Sequence, residues 1–438
     1  MKKSIVWFKT DLRLHDNETL MQAIKHSNEV LPVYCLDDKH YELTPFGFKK
    51  TGNFRAKFLL EALADLDKQL RKIGSGLLIL RGDPVEELFK LAKTYGATKV
   101  YSKKEVAYEE NNMLANVEKK LWTIHCSLET YSTSTLYHAV DLPFSIKDIP
   151  DVFTTFRNKT EKESTIRSIV DAPVNISSPV IEPLCLPTPE DLGLTTPNHD
   201  KRKALDFKGG ETEGYARLDY YFSQTQLISN YKETRNSLIG GDYSTKFSPW
   251  LALGCLSPRE IYYELKKYEA KFGANKSTYW LVFELLWRDY FRFMMKKYRH
   301  KFFLQAGIKN ESVTIHKHNE EAINNWINGN TGNDFIDANM IELKLTGFMS
   351  NRGRQNVASY FVNDLKLDWR YGAAYFEQQL IDYDVCSNWG NWAYMAGVGN
   401  DPRGKRHFNI EKQSAEYDRY SIYRKLWLSE TKQVNNKH

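Results

Sequence analysis

Ser4-Ile5-Val6-Trp7-Phe8 and Val30-Leu31-Pro32-Val33-Tyr34-Cys35-Leu36 are short, almost wholly apolar runs separated by the amphipathic stretch Glu18–Lys25. A run of that length without polar alternation suits a strand buried on both faces, as in a parallel sheet. The pattern continues along the chain. Phe54–Ile73 has the period of a long helix, Leu77–Leu80 reads as a third strand, and Val85–Thr94 as a helix opened by Pro84. Lys99–Tyr101 reads as a fourth strand, Glu109–Trp122 as a helix, and Thr123–Glu129 closes the series. Strand and helix alternating at this spacing specify βαβ units, so residues 1–130 are predicted to form a Rossmann-like α/β domain on a parallel sheet. The stretch lacks both GxGxxG and GxxxxGK[ST]; Gly74-Ser75-Gly76 lies between a helix and a strand and reads as a helix stop. The sheet is therefore expected to be a scaffold or an auxiliary ligand site.

Beyond it the texture changes twice. Residues 131–207 hold most of the fourteen prolines, many Ser and Thr, and little periodicity, and read as a long connector laid over a surface. From 208 to 430 the chain reads as all-α: Tyr215–Tyr231, Pro258–Phe272, Tyr279–Tyr298, Glu320–Asn328, Asp334–Thr346, Asn351–Leu365 and Tyr371–Leu380 carry helical periodicity. Residues 431–438 are polar and are expected to fray.

Net charge +6 allows an anionic partner without requiring one. The five cysteines are scattered and form no CxxC, which argues against a disulfide framework and against a zinc site. No metal is expected. The N-terminal apolar run is too short for a signal peptide, and no stretch reaches the roughly 20 apolar residues of a membrane helix. These readings predict an intracellular, cytoplasmic protein with no membrane partner.

Four segments concentrate chemistry. Gly240–Trp250 places Ser244, Thr245, Lys246 and Ser248 ahead of an apolar helix start, where hydroxyls, an amine and free N–H groups can hold phosphate oxygens; ordinary N-capping by Ser248 before Pro249 is the plainer alternative. Glu284, Trp287 and Arg288 fall on one helix face, which suits a flat ligand stacked and hydrogen-bonded at its edge, or a structural salt bridge beside a packed ring. Asn351, Arg352, Arg354, Gln355 and Asn356 put amides and guanidinium forks before another helix, donors for phosphates or base edges or else an ordinary solvated helix start. Asp382–Tyr394 crowds two aspartates, two asparagines, two tryptophans and two tyrosines into thirteen residues with no His, a density of rings and amides that fits a heteroaromatic ligand better than acid–base hydrolysis.

Taken in order, SPWLALGCLSPRE (Ser248–Glu260), ELLWRDYFR (Glu284–Arg292), TGFMSNRGRQNVAS (Thr346–Ser359) and DYDVCSNWGNW (Asp382–Trp392) resemble the FAD-domain signatures of the photolyase/cryptochrome family. DLPFSIKDIPDVFTTFR (Asp141–Arg157) and Gln355 after Arg354 resemble its DASH branch, and VWFKTDLRLHDN resembles its N-terminal strand and loop. The resemblance implies an α/β antenna domain, a connector and a helical FAD-binding domain. It implies blue-light repair of cyclobutane pyrimidine dimers in DNA, with single strands preferred, by electron transfer from excited reduced flavin. The alternative it leaves open is a signalling photoreceptor that binds DNA or a protein.

The resemblance also assigns residues. Ser244, Thr245, Lys246, Phe247 and Ser248, with Tyr231 nearby, would hold the diphosphate region. Arg288 belongs to the same cofactor set. Arg354 and Asp382 would pair beside the isoalloxazine, Asp384 would bind its polar edge, and Asn388 would face its reactive nitrogen. Glu284 would meet the dimer's carbonyls, Trp287 would stack on the flipped-out dimer, and Asn351 and Gln355 would floor that pocket. Trp392 and Trp369 match the inner members of an electron-transfer tryptophan series.

Departures accompany the match. The outermost tryptophan of the series falls at His316, which implies either weakened photoreduction or a tyrosine in its place. The family's usual Pro is missing around Asn333–Phe335. For the expected folate antenna (methenyltetrahydrofolate), Glu109 and Glu110 are both candidates. The protein is expected to act as a monomer.

Overall fold

The computed structural model describes residues 2–309, 318–402, 404 and 406–435. Strands β1 (Lys3–Phe8), β2 (Glu29–Leu36), β3 (Leu78–Arg81), β4 (Lys99–Lys103) and β5 (Ser127–Tyr131) form one parallel sheet in the order β3-β2-β1-β4-β5. Helices α1 (Glu18–His26), α2 (Asn53–Lys72), α3 (Pro84–Tyr95) and α4 (Tyr108–Trp122) supply the crossovers. Their ends follow local chemistry: Asn17 caps α1, Asp83 caps α3 ahead of Pro84, and left-handed Gly96 ends α3.

The pleat sorts β1 onto two cores. Ile5 and Trp7 pack with Leu88 and Val117 under α3 and α4, while Val6 and Phe8 join Phe58 and Leu63 of α2 in the core that runs on into the helical part. The helical part therefore seals one face of the sheet, and the run of apolar residues in β1 is explained from both sides.

The connector enters this core. Leu136, Tyr137, Phe153 and Phe156 are buried, and Phe153–Glu163 forms helix α5. The backbone N–H groups of Leu136 and Tyr137 donate to the Asp289 carboxylate at 3.0 and 2.8 Å. Its anchoring by apolar and hydrogen-bonded contacts goes beyond the surface path that its composition suggests.

The helical part comprises α6 (Glu211–Asp219), α7 (Tyr231–Thr234), α8 (Ser248–Ala252), α9 (Pro258–Phe272), α10 (Lys276–Tyr298), α11 (Glu320–Asn328), α12 (Asp334–Thr346), α13 (Asn351–Ser359), α14 (Trp369–Gln379), α15 (Val385–Met395), α16 (Ile410–Tyr417) and α17 (Ile422–Asn435). Two expected helices are interrupted. The stretch 215–231 widens into a π-turn at Tyr220–Gln224 and breaks at left-handed Gln226, and 351–365 widens at Tyr360–Asp364. Periodicity alone does not report an extra residue in a turn. Asp334 stands where the Pro is missing, as the first residue of α12, and the Asn333 side chain caps that helix. Where an irregular end is expected from residue 431, α17 continues to Asn435; residues 436–438 lie outside the described residues. Among the described residues no helix is long and apolar enough to cross a membrane, and no cluster of His, Cys, Asp and Glu could hold a metal ion.

Candidate active site

All four chemistry-bearing segments converge on two adjoining cavities of about 260 and 480 Å³, which share Arg235, Ser248, Glu284, Arg288, Asn351, Arg354 and Asp382. The smaller is walled by Tyr231 and the loop Tyr243–Ser248. Arg217 shapes that loop by donating to the carbonyls of Gly241 at 2.7 Å, Ser244 at 3.2 Å and Thr245 at 3.0 Å. The bend places Lys246 in the left-handed region at φ 59°. Its Nζ sits 3.0 Å from the Tyr243 ring centroid, is buried and has no hydrogen-bond partner. Burial pushes this amine well below the ordinary lysine range. A buried ammonium with rings beside it and no bound oxygen is a site for an anionic oxygen, which a diphosphate supplies. Phe247 is buried in the same wall, and Ser248 opens α8 without using its hydroxyl as a cap, so the plain N-cap alternative does not hold.

At the junction of the cavities Arg354 Nη2 pairs with Asp382 Oδ2 at 2.9 Å while its Nε donates to the Met349 carbonyl. Asp382 Oδ1 is buried without a partner. An anion acceptor at one end and an orphaned carboxylate oxygen near the other fit an elongated ligand with phosphates and a ring N–H, as FAD has.

The larger cavity takes in Trp287, Gln355, Asp384, Asn388 and Trp392. Glu284 Oε1 accepts from Arg235 Nη1 at 2.6 Å and Trp280 Nε1 at 3.1 Å. Burial raises its pKa against the opposing pull of Arg235. Trp287 stacks one face on Phe153 of the connector, centroids 3.6 Å apart and planes at 13°. Arg288 donates to the carbonyls of Ser134 and Leu251, so it ties connector to site as well as lining both cavities. Asp384 is already engaged: it receives Arg292 Nη1 at 2.6 Å and caps α15 through Ser387, which holds its pKa down to about 2. Asn388 Nδ2 donates to the Ala373 carbonyl at 2.9 Å, leaving Oδ1 for the cavity.

Trp392 packs on Gly372, where a Cβ would lie 2.2 Å from its ring, and contacts Trp326, Phe361 and Phe376. Trp369 contacts Trp389 instead, at 5.8 Å. His316 lies outside the described residues.

Glu109 and Glu110 part company. Glu109 is exposed and pairs with Lys50. Glu110 stands beside Glu105, just after the ends of β1 and β4, where the strand order reverses and α/β sheets hold ligands. Lys9 and Lys103 flank Glu105 at 3.4 and 3.5 Å, with Arg292 at 3.8 Å. Glu105 takes the charge, held down to about 2, and burial beside it raises Glu110 to about 7. Arg292 thus touches both the sheet's switch point and Asp384.

Sequence reasoning missed Arg235, Trp280, Arg292 and Arg406. Arg235 and Glu284 are 49 positions apart, and no local pattern joins them. Arg292 sits at i+4 from Arg288 within the quoted helix, a spacing that does signal a shared face. Arg406 lines the larger cavity and donates to the Tyr394 hydroxyl at 2.6 Å.

Residues 4–176 match the DNA photolyase family, and residues 280–438 match the FAD binding domain of DNA photolyase. The chain is similar to Cryptochrome DASH of Gloeobacter violaceus, 47% identical over 98% of this chain and 86% of that one. A solved Synechocystis cryptochrome superposes with a TM-score of 0.95 at 47% identity, covering 99% and 89% of the two chains. An archaeal photolyase from Sulfolobus tokodaii, solved with two FAD molecules, gives 0.79 at 26% identity, covering 99% and 91%.

Proposed function

The chain belongs to the DASH branch of the photolyase/cryptochrome family, and from that premise we propose that it is a blue-light DNA photolyase that splits cyclobutane pyrimidine dimers, single strands preferred. The observation that carries the proposal is Glu284, fixed by Arg235 and Trp280 where the two cavities meet, with the Trp287 ring beside it. Bound FAD supplies light absorption and the electron that opens the cyclobutane.

The chain's own residues do the rest. Lys246 and the loop Tyr243–Ser248 hold phosphate oxygens, and Arg354 with Asp382 orients the ring edge. Trp287 offers an apolar surface to a pyrimidine dimer that has left the stack, and a damaged or unpaired base leaves at least cost. Burial raises the Glu284 pKa, so its carboxyl takes up a proton more readily than an exposed one, and in the protonated form it donates to a dimer carbonyl as negative charge grows there. In this reading the protein works as a monomer on DNA. Its antenna is a folate seated near Glu110, where the strand order reverses.

Blue-light repair of a dimer in a short oligonucleotide tests the reading, with single-stranded and duplex forms side by side and a dark control. Repair of the single strand only is expected. Equal repair of both removes the preference, and repair of neither, with FAD bound, favours a photoreceptor. Glu284→Ala is expected to slow repair by about tenfold to a hundredfold, the cost of one charge-assisted hydrogen bond, with FAD content unchanged. Loss of FAD from that variant instead assigns Glu284 to the cofactor.

A further inference from the structure

Four indoles cluster around α14 and α15: Trp326, Trp369, Trp389 and Trp392. Their N–H groups have different partners. Trp326 donates to the Val357 carbonyl and Trp369 to the Gln305 carbonyl. Trp389 Nε1 donates to Glu377 Oε2 at 3.1 Å. A carbonyl oxygen accepts a hydrogen bond but does not take a proton from an oxidised indole, whereas a carboxylate does. Trp389 also sits three residues before Trp392 on α15, so the two share a helix face, and its ring is 5.8 Å from Trp369. Only 5% of it is exposed.

Resting on the light-driven reading above, we propose that Trp389, with Glu377 as its proton acceptor, is the residue on which the oxidising equivalent that begins at Trp392 comes to rest. The step balances. Bound FAD, excited in its oxidised form, would supply the oxidant, and the Trp392 ring, which lines the cavity, would give up one electron to it. Trp389 returns one electron to that ring, and its Nε1 proton passes to Glu377 Oε2. A neutral indolyl radical and a carboxylic acid remain. An external thiol later gives one electron to Trp389, becoming a thiyl radical and releasing its own proton to solvent, and the indole proton moves back from Glu377.

The surroundings suit the carboxylate to this role. Burial raises the Glu377 pKa, which makes the ionised group a stronger base, while Arg55 and Lys50 oppose that rise and favour the charge. Tyr383 lies beside the same carboxylate with the Arg55 guanidinium 4.5 Å from its ring. The series thereby ends without an indole at position 316.

Flash photolysis of the oxidised, FAD-loaded protein tests this, reading tryptophan-radical absorption, with W389F, W369F and E377Q compared. In W389F the yield of long-lived radical should fall about tenfold, a rate competition lost to charge recombination. FAD content and dimer repair by protein reduced beforehand with dithionite should persist. In E377Q the radical should keep its proton, show the cation's absorption, and lose the solvent-deuterium effect on its decay. A wild-type yield and lifetime in W389F, with loss in W369F alone, overturns the proposal, as does a neutral radical formed normally in E377Q. Absence of any tryptophan radical in the wild-type protein also overturns it. Failure of pre-reduced wild-type protein to repair a dimer strikes the photolyase reading and leaves the radical measurement standing.

Discussion

Lys246 is the residue most clearly out of balance in this fold. Its amine is buried, faces two rings and makes no hydrogen bond, so the protein alone bears the cost of any charge held there. A bound diphosphate would relieve that cost, and the affinity gained is the cost removed. Lys246→Met keeps the length of the side chain and removes the charge. It should weaken FAD binding about tenfold to a hundredfold, in line with a charge-assisted hydrogen bond, and should leave the apo-protein no less stable in a thermal melt. Titration by flavin fluorescence measures the first effect. Unchanged FAD affinity would place the phosphates elsewhere. Asp384 is the opposite case, since Arg292 and the α15 cap already satisfy it. Its first role is to fix the start of α15, and through that helix the positions of Asn388 and Trp392.

At the scale of elements, the site depends on how closely α14 and α15 approach. Gly372 lies against the six-membered ring of Trp392, and Asn388 reaches across to the Ala373 carbonyl. The two contacts fix both distance and rotation of the helix pair. A methyl at 372 would meet the ring at 2.2 Å, with buried neighbours on every side. Gly372→Ala gains helix propensity but overpacks the contact, and overpacking should win, at a net cost of about 1–3 kcal/mol. A lowered thermal midpoint together with altered tryptophan fluorescence checks this. A raised midpoint would mean that Trp392 has room to move. The connector belongs to the same scale, because Phe153 on α5 stacks on Trp287 and holds the substrate-side ring in place.

At the scale of the molecule, the sheet and the helical part are joined through buried charge. Glu105, Lys9, Lys103 and Arg292 meet where the strand order reverses, and Glu110 faces Glu105. Glu110 has its pKa raised to about 7 from 4.5. Between those values the folded protein holds a proton that the unfolded chain releases, so stability should fall as pH rises through this window. Glu105, held near 2, works in the other direction: its contribution is present above 4.5 and is lost as pH falls toward 2. Glu110→Gln should therefore flatten the stability profile between pH 4.5 and 7 while the acid-side loss remains. Chemical denaturation across that range measures it, and an unchanged slope would show that another group carries the proton.

The strand–helix alternation of residues 1–130 was legible because it rests on local period: strands buried on both faces must be continuously apolar, and crossover helices must be amphipathic. The four segments that wall the cavities were legible for a related reason, since each is a contiguous run whose rings, amides and charges serve one ligand. The caps at Asn17, Asp83 and Asn333 are local too, but the sequence reading did not name them. Only the tertiary structure decided which distant residues meet. Arg235 reaches Glu284, Phe153 reaches Trp287, Arg292 spans Glu105 and Asp384, and Trp389 finds Glu377. Such pairs are set by how helices pack and by where π-turns shift their register, and neither leaves a period in the chain. The sequence by itself determined the layers and the ligand class they surround; packing determined which carboxylate each cation neutralises and which proton each ring can lose.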